Sequence, residues 1–164
     1  MNRSDVNQNG RLKVLGFEGW DGGSHRQFRK VLTRYSRHEW DWATRPARAW
    51  KWRLRTGAIE LVDQATASGL LDQRPDVIFA TSMVGEIRSL LPGTLATVPL
   101  VIYMHENQAA YPFRHHAQHE QERDYQYAIT NLLTILSADQ VLWNSNWNMN
   151  SFCCAIESLL SKSP

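Results

Sequence analysis

Three short polar segments hold the residue types that could do chemistry. The first is Glu18-Gly19-Trp20-Asp21-Gly22-Gly23-Ser24-His25, directly after the apolar run Leu12 to Phe17. Glycines let backbone approach a ligand closely, and a helix starting there offers free N–H groups to an anion. The Gly-x-Gly-x-x-Gly spacing of a dinucleotide site is absent, and no Gly-Lys-Ser/Thr marks a Walker loop. A plain tight turn is the alternative.

The second segment is Tyr103-Met104-His105-Glu106-Asn107-Gln108, after the apolar run Leu100 to Met104. His105 and Glu106 can exchange protons or hydrogen-bond sugar hydroxyls. A capped loop with satisfied polar groups is the alternative. Tyr111-Pro112 extends the loop as a wall. The third segment holds His115, His116, His119 and Glu120. A metal reading there lacks His-Glu-x-x-His and any cysteine cluster, so no metal is expected. Cys153 and Cys154 are adjacent, which disfavours a disulfide; packing is their expected role, and a cytoplasmic compartment follows. No Gly-x-Ser-x-Gly elbow marks a hydrolase nucleophile.

Charge is segregated around these segments. Arg26 to Arg55 holds ten Lys/Arg against Glu39 and Asp41, whereas residues 56–164 hold five bases against eleven acids. Four of the seven tryptophans, Trp40, Trp42, Trp50 and Trp52, lie in the basic stretch. Cations interleaved with aromatics suit a phosphate backbone and stacked bases. A solvated helix with packed tryptophans is the competing reading. Arg48, Lys51, Arg53 and Arg55 are the phosphate candidates. Trp50 and Trp52 are two apart, so on a helix they point to different sides and at most one stacks on a base.

Alternating strands and helices must position these groups. Strands are expected over Leu12 to Phe17, Trp40 to Ala43, Asp76 to Ala80, Leu100 to Met104 and Gln140 to Trp143. Helices are expected from Ser24 as N-cap to Tyr35 and from Pro46 to Ser68, where Gly69 stops the helix. Within the latter, Trp50, Leu54, Ile59, Leu61, Val62 and Ala65 roughly fit one apolar face. Further helices are expected over Ser82 to Leu91, Glu120 to Leu136 and Asn146 to Leu160. Short apolar strands between helices imply an α/β class, a Rossmann-like parallel sheet with helices on both faces. Ligands of such sheets sit at the carboxyl ends of the strands. That is where the first two segments fall.

The chain of 164 residues suits one domain, 11–164, behind a polar disordered lead-in, 1–10. No apolar run reaches the ~18 residues of a membrane span, and the start lacks a secretory h-region.

Taken in order, the motifs resemble a known family. They are Gly22-Gly23-Ser24-His25, Pro46 to Arg53, Tyr103 to Gln108 with Tyr111-Pro112, Glu122 to Tyr127, and Trp143-Asn144-Ser145 with Asn148-Met149 and Ser151-Phe152. Together they look like the N-terminal domain of tRNA-queuosine α-mannosyltransferases, over about residues 11 to 160. Met104 and Trp20-Asp21 depart from the family pattern. The resemblance implies a retaining glycosyltransferase of the two-Rossmann GT-B type. GDP-mannose is the co-substrate, no cofactor is needed, and queuosine of tRNA-Asp accepts the mannose. It further implies that Gly22, Gly23, Ser24 and His25 approach the donor diphosphate, and that His105 faces the donor sugar with Glu106 beside it. Arg48, Trp50, Lys51, Trp52, Arg53, Arg55, Asn107, Gln108 and Tyr111 then fall on the acceptor side. Retaining enzymes of this type can use the donor phosphate to take the acceptor proton.

A GT-B enzyme needs a second nucleotide-binding domain. No second glycine loop or C-terminal acidic pair occurs in the 164 residues. The expected chain is therefore the acceptor half, inactive alone, with a separately encoded donor domain as one partner. A non-catalytic RNA-binding module and a glycosyltransferase domain for a non-RNA acceptor are the rival readings.

Overall fold

A computed structural model describes residues 10–82, 84–110 and 118–161, without the side chains of 118–124. Five parallel strands form one sheet in the order β2-β1-β3-β4-β5. They are β1 (Lys13–Asp21), β2 (Glu39–Pro46), β3 (Val77–Thr81), β4 (Leu100–Met104) and β5 (Gln140–Trp143). The helices are α1 (Gly23–Tyr35), α2 (Trp50–Ala67), α3 (Gln118–Leu136) and α4 (Asn146–Leu160). The architecture is the Rossmann-like α/β arrangement expected. None of the described helices is long and apolar enough to cross a membrane.

The period of two along each strand divides the interior into two unlike layers. One face of the sheet presents Leu15, Phe17, Ile78, Ala80, Leu100, Ile102 and Met104 to Ala58, Leu61, Val62 and Ala65 of α2. That aliphatic layer is the main core. The opposite face is aromatic. Phe28 of α1 stacks on Tyr103 with centroids 4.3 Å apart, and Trp40 stacks on Trp42 at 5.1 Å. Phe79 meets both indoles edge-on. Gly16 pairs with Trp42 across β1 and β2, and a Cβ on Gly16 would come within 2.3 Å of that indole. A ring therefore lies where a side chain would otherwise be.

Several boundaries differ from expectation. β1 runs on through Glu18, Gly19 and Trp20 to Asp21, because it stays paired with β2 as far as Asp21 opposite Pro46. The glycine turn is thus shorter than expected, and Glu18 is a strand residue. Pro46 closes β2 instead of opening a helix; β2 is an edge strand, where proline's missing N–H costs little. Ser24 is not the N-cap of α1. Gly22 holds that place, and Gly23 takes φ +50°, a conformation glycine tolerates. Among the described residues from Ser82 to Leu91 the regular element is a 3-10 turn, Arg88–Leu90; Gly85 at φ +67° interrupts the expected helix. The apolar face of α2 is also narrower than expected, since Trp50 and Ile59 are exposed. Cys153 and Cys154 are exposed rather than packed, because Asn148, Phe152 and Ile156 take the inward face of α4.

Candidate active site

The connections leave β1 and β3 in opposite directions along the sheet, so the crevice between their carboxyl ends is the switch point where α/β sheets bind ligands. Four side chains converge there. Glu18 comes from β1, Thr81 ends β3, His25 lies in the first turn of α1, and His105 follows β4.

Glu18 is fully buried and organises the group. Its Oε1 accepts from the Trp20 backbone N–H at 2.7 Å and the Thr81 hydroxyl at 3.1 Å. His25 Nδ1 lies 3.2 and 3.3 Å from the two carboxylate oxygens. A carboxylate only accepts, so Nδ1 carries the hydrogen and Nε2 of neutral His25 is left as an acceptor. The His25 and His105 rings are 4.0 Å apart, and Phe28 and Tyr103 wall His105 edge-on at 4.7 Å. His105 Nε2 is buried and has no hydrogen-bond partner among the described residues. Desolvation first, then the neighbouring His25 imidazole, pull the His105 pKa down to about 3. His105 is therefore a neutral imidazole at physiological pH.

Glu18, His25 and His105 place a carboxylate oxygen and ring nitrogens within 4.8 Å of one another. Such a set resembles a metal triad. However, the Glu18 carboxylate already takes three hydrogen bonds, and a cation would have to displace them. His115 and His116 lie outside the described residues, as do the side chains of His119 and Glu120.

Gly22, Gly23 and Ser24 border this cluster at the start of α1. The turn is pressed close to the segment after β2: a Cβ on Gly22 would lie 2.3 Å from that of Ala47. Asp21 anchors the helix by accepting from Arg29 Nε and Nη2 at 2.9 and 3.0 Å. Beyond His105, Gln108 Nε2 donates to Glu106 at 3.3 Å. Asn107 is buried and structural. Its amide donates to the Asn148 carbonyl and to Ser151, and its Oδ1 accepts from the Ala110 N–H. Tyr111 lies outside the described residues.

The basic segment sorts into buried and exposed members. Arg53 is buried with its guanidinium on Glu60, which also binds Arg45. The Thr56 hydroxyl, then Arg53 and Arg45, hold the Glu60 carboxyl below its ordinary range. Glu60 thus fastens α2 to the end of β2 through Arg45, while Arg53 is buried against the same carboxylate within α2. Arg48, Lys51 and Arg55 are exposed. Arg55 donates to Gln126 at 2.9 Å and lies over Tyr127, against which Trp50 also packs. Trp52 projects outward at 63% exposure.

Glu18 and Thr81 were not among the residues expected to act. A signal for Glu18 exists in retrospect: Val14, Gly16 and Glu18 share one face of β1, which puts a carboxylate on the inner side at the strand's end.

His105 also makes the site acid-sensitive. Its folded pKa lies below the unfolded value, so the folded state binds fewer protons between the two. Its contribution is complete above about pH 6.5 and is lost progressively as pH falls to about 3. Urea unfolding should show wild-type stability falling across that window. His105→Gln should flatten that part of the profile and leave the acid-side fall from Glu60 and Asp139, whose carboxyls are both held below their ordinary range.

A family model described as tRNA-queuosine alpha-mannosyltransferase N-terminal matches residues 13–164. A tRNA-queuosine alpha-mannosyltransferase of Drosophila melanogaster is 35% identical over 154 residues, 92% of this chain. The chain spans 38% of the length of that relative. No solved structure matches. The crevice at the switch point and its paired histidines thus belong to a chain that is a member of the tRNA-queuosine alpha-mannosyltransferase N-terminal family.

Proposed function

We propose that this domain is the acceptor-side half of a retaining GT-B glycosyltransferase that moves mannose from GDP-mannose to queuosine in the anticodon of tRNA-Asp. The observation that carries the reading is His105 Nε2, a neutral imidazole nitrogen buried in the crevice between β1 and β3 with no hydrogen-bond partner among the described residues. A neutral imidazole can accept a hydrogen bond from a sugar hydroxyl, and one this weakly basic leaves the hydroxyl its proton. The start of α1, with Gly22, Gly23 and Ser24, directs backbone N–H groups at the donor diphosphate, and His25 lies beside them. In the transfer, the bond between the mannose anomeric carbon and the diphosphate breaks and GDP leaves. The acceptor oxygen bonds that carbon on the same face, and a donor phosphate oxygen takes its proton. His105 and Glu106 position the hydroxyls. Arg48, Lys51 and Arg55 hold the tRNA backbone, with Trp52 free to stack on a base. Arg53 supports them from inside.

The second half of the enzyme supplies most donor contacts in this reading. Labelled mannose transfer to queuosine-containing tRNA-Asp tests it, with the domain alone and joined to a donor domain. The domain alone should be inactive. In the joined enzyme His105→Ala should cut the rate about 100-fold or more. Robust transfer by the domain alone, or equal transfer to tRNA lacking queuosine, would overturn it.

A further inference from the structure

Helix α1 exposes a row of cations that the site does not use. Arg26, Lys30 and Arg34 recur every fourth residue and so share one face. That face lies away from His25, Phe28 and Leu32, which turn toward the sheet. Arg37 continues the row just past the C-cap Ser36, and Arg11 reaches the same end by donating to the Arg37 carbonyl at 3.0 Å.

Acids meet the row only at its two ends, Asp21 at Arg26 and Glu39 at Arg11. α1 contains no Asp or Glu along Gly23–Tyr35, whereas α2 carries Glu60 and Asp63 among its bases. Same-sign neighbours four apart weaken a helix, and solvated faces ordinarily mix signs. Asp21 engages Arg26 and Arg29. Lys30, Arg34 and Arg37 make no ion pair among the described residues. Tyr35 is 74% exposed beside the row, with the Arg34 guanidinium 5.4 Å from its ring. Aligned unpaired cations next to an open aromatic ring are complementary to a polyanion that carries stacking faces. A lipid surface supplies the charge but no base to stack.

We propose that Lys30, Arg34 and Arg37 form a track for the sugar-phosphate backbone of RNA, leading away from the crevice along α1. The track rests on the tRNA reading given above and extends it to a surface distinct from Arg48, Lys51 and Arg55. It holds parts of the tRNA beyond the anticodon nucleoside, so it does not read the modified base.

Filter binding of tRNA-Asp to the full chain across a salt series tests this. Lys30→Ala/Arg34→Ala/Arg37→Ala should bind about tenfold or more weaker near 0.15 M salt, and its log-log salt slope should be shallower by about two to three. All three residues are exposed, so the thermal midpoint should stay unchanged. tRNA with and without queuosine should lose affinity equally. If the wild type binds both tRNAs and the triple variant keeps its affinity and slope, the track is wrong while the acceptor reading stands. If the wild type binds neither, the tRNA reading fails and the track falls with it. If the substitutions abolish binding to phosphatidylserine vesicles but leave tRNA affinity intact, the row serves a membrane and the proposal is overturned.

Discussion

Glu18→Leu is expected to destabilise the fold by about 3–5 kcal/mol and to release His25 from its tautomer. The leucine fills much of the volume but accepts nothing. Three donors, the Trp20 N–H, the Thr81 hydroxyl and His25 Nδ1–H, would then be buried without an acceptor. Each unsatisfied donor costs about 1–3 kcal/mol, and the hydroxyl can turn elsewhere. Glu18→Gln keeps one acceptor oxygen and should lose about 1–3 kcal/mol. Urea unfolding gives the first number. Ring nitrogen chemical shifts of His25 give the second result. They should report hydrogen on Nδ1 in the wild type and a mixture of tautomers in Glu18→Leu. A His25 signal indifferent to Glu18 would show that the carboxylate does not hold the imidazole. In a joined, active enzyme both variants should also lose transfer, because Nε2 of His25 would no longer be fixed as an acceptor.

Gly16→Val should be nearly as damaging, for a reason unrelated to chemistry. Its Cβ would enter the Trp42 ring, with indole atoms at 2.3 and 2.6 Å. Trp42 cannot simply retreat. It stacks on Trp40 with planes 9° apart and donates its N–H to Thr33 at 3.0 Å. Overpacking of this kind costs about 3 kcal/mol, and here it also pushes β2 away from β1. The midpoint of urea unfolding should drop accordingly. Adding Trp42→Ala to Gly16→Val should recover part of the loss, because two neighbours sharing one space are not additive. A double variant no better than the sum of the singles would place the damage elsewhere.

These two positions show what the sequence could and could not convey. All five strands and four of the five expected helices were legible, because continuous apolar runs and turn residues mark them locally. The charge segregation and the crevice residues His25 and His105 were legible as well. What failed needed a partner to decide it. Pro46 has the local look of a helix start, and only its place on an edge strand makes it an ending. Glu18 looks like part of a loop until β2 is known to stay paired with β1 beyond it. Arg53 resembles its exposed neighbours in every local respect, and only Glu60, seven residues on, draws it inside. Asn107 looked available to a ligand because the amide it holds on Asn148 is 41 residues away.

The aromatic layer has a practical consequence. Two indoles stacked 5.1 Å apart couple their excited states, so Trp40 and Trp42 give the domain an intrinsic optical reporter. The reporter is wired to α1, since Trp42 bonds Thr33 and the Arg29 guanidinium lies 5.8 Å from its ring. That helix carries both His25 and the unpaired cations. If the domain binds tRNA as proposed, its loading should be visible as light, with no label attached to either partner.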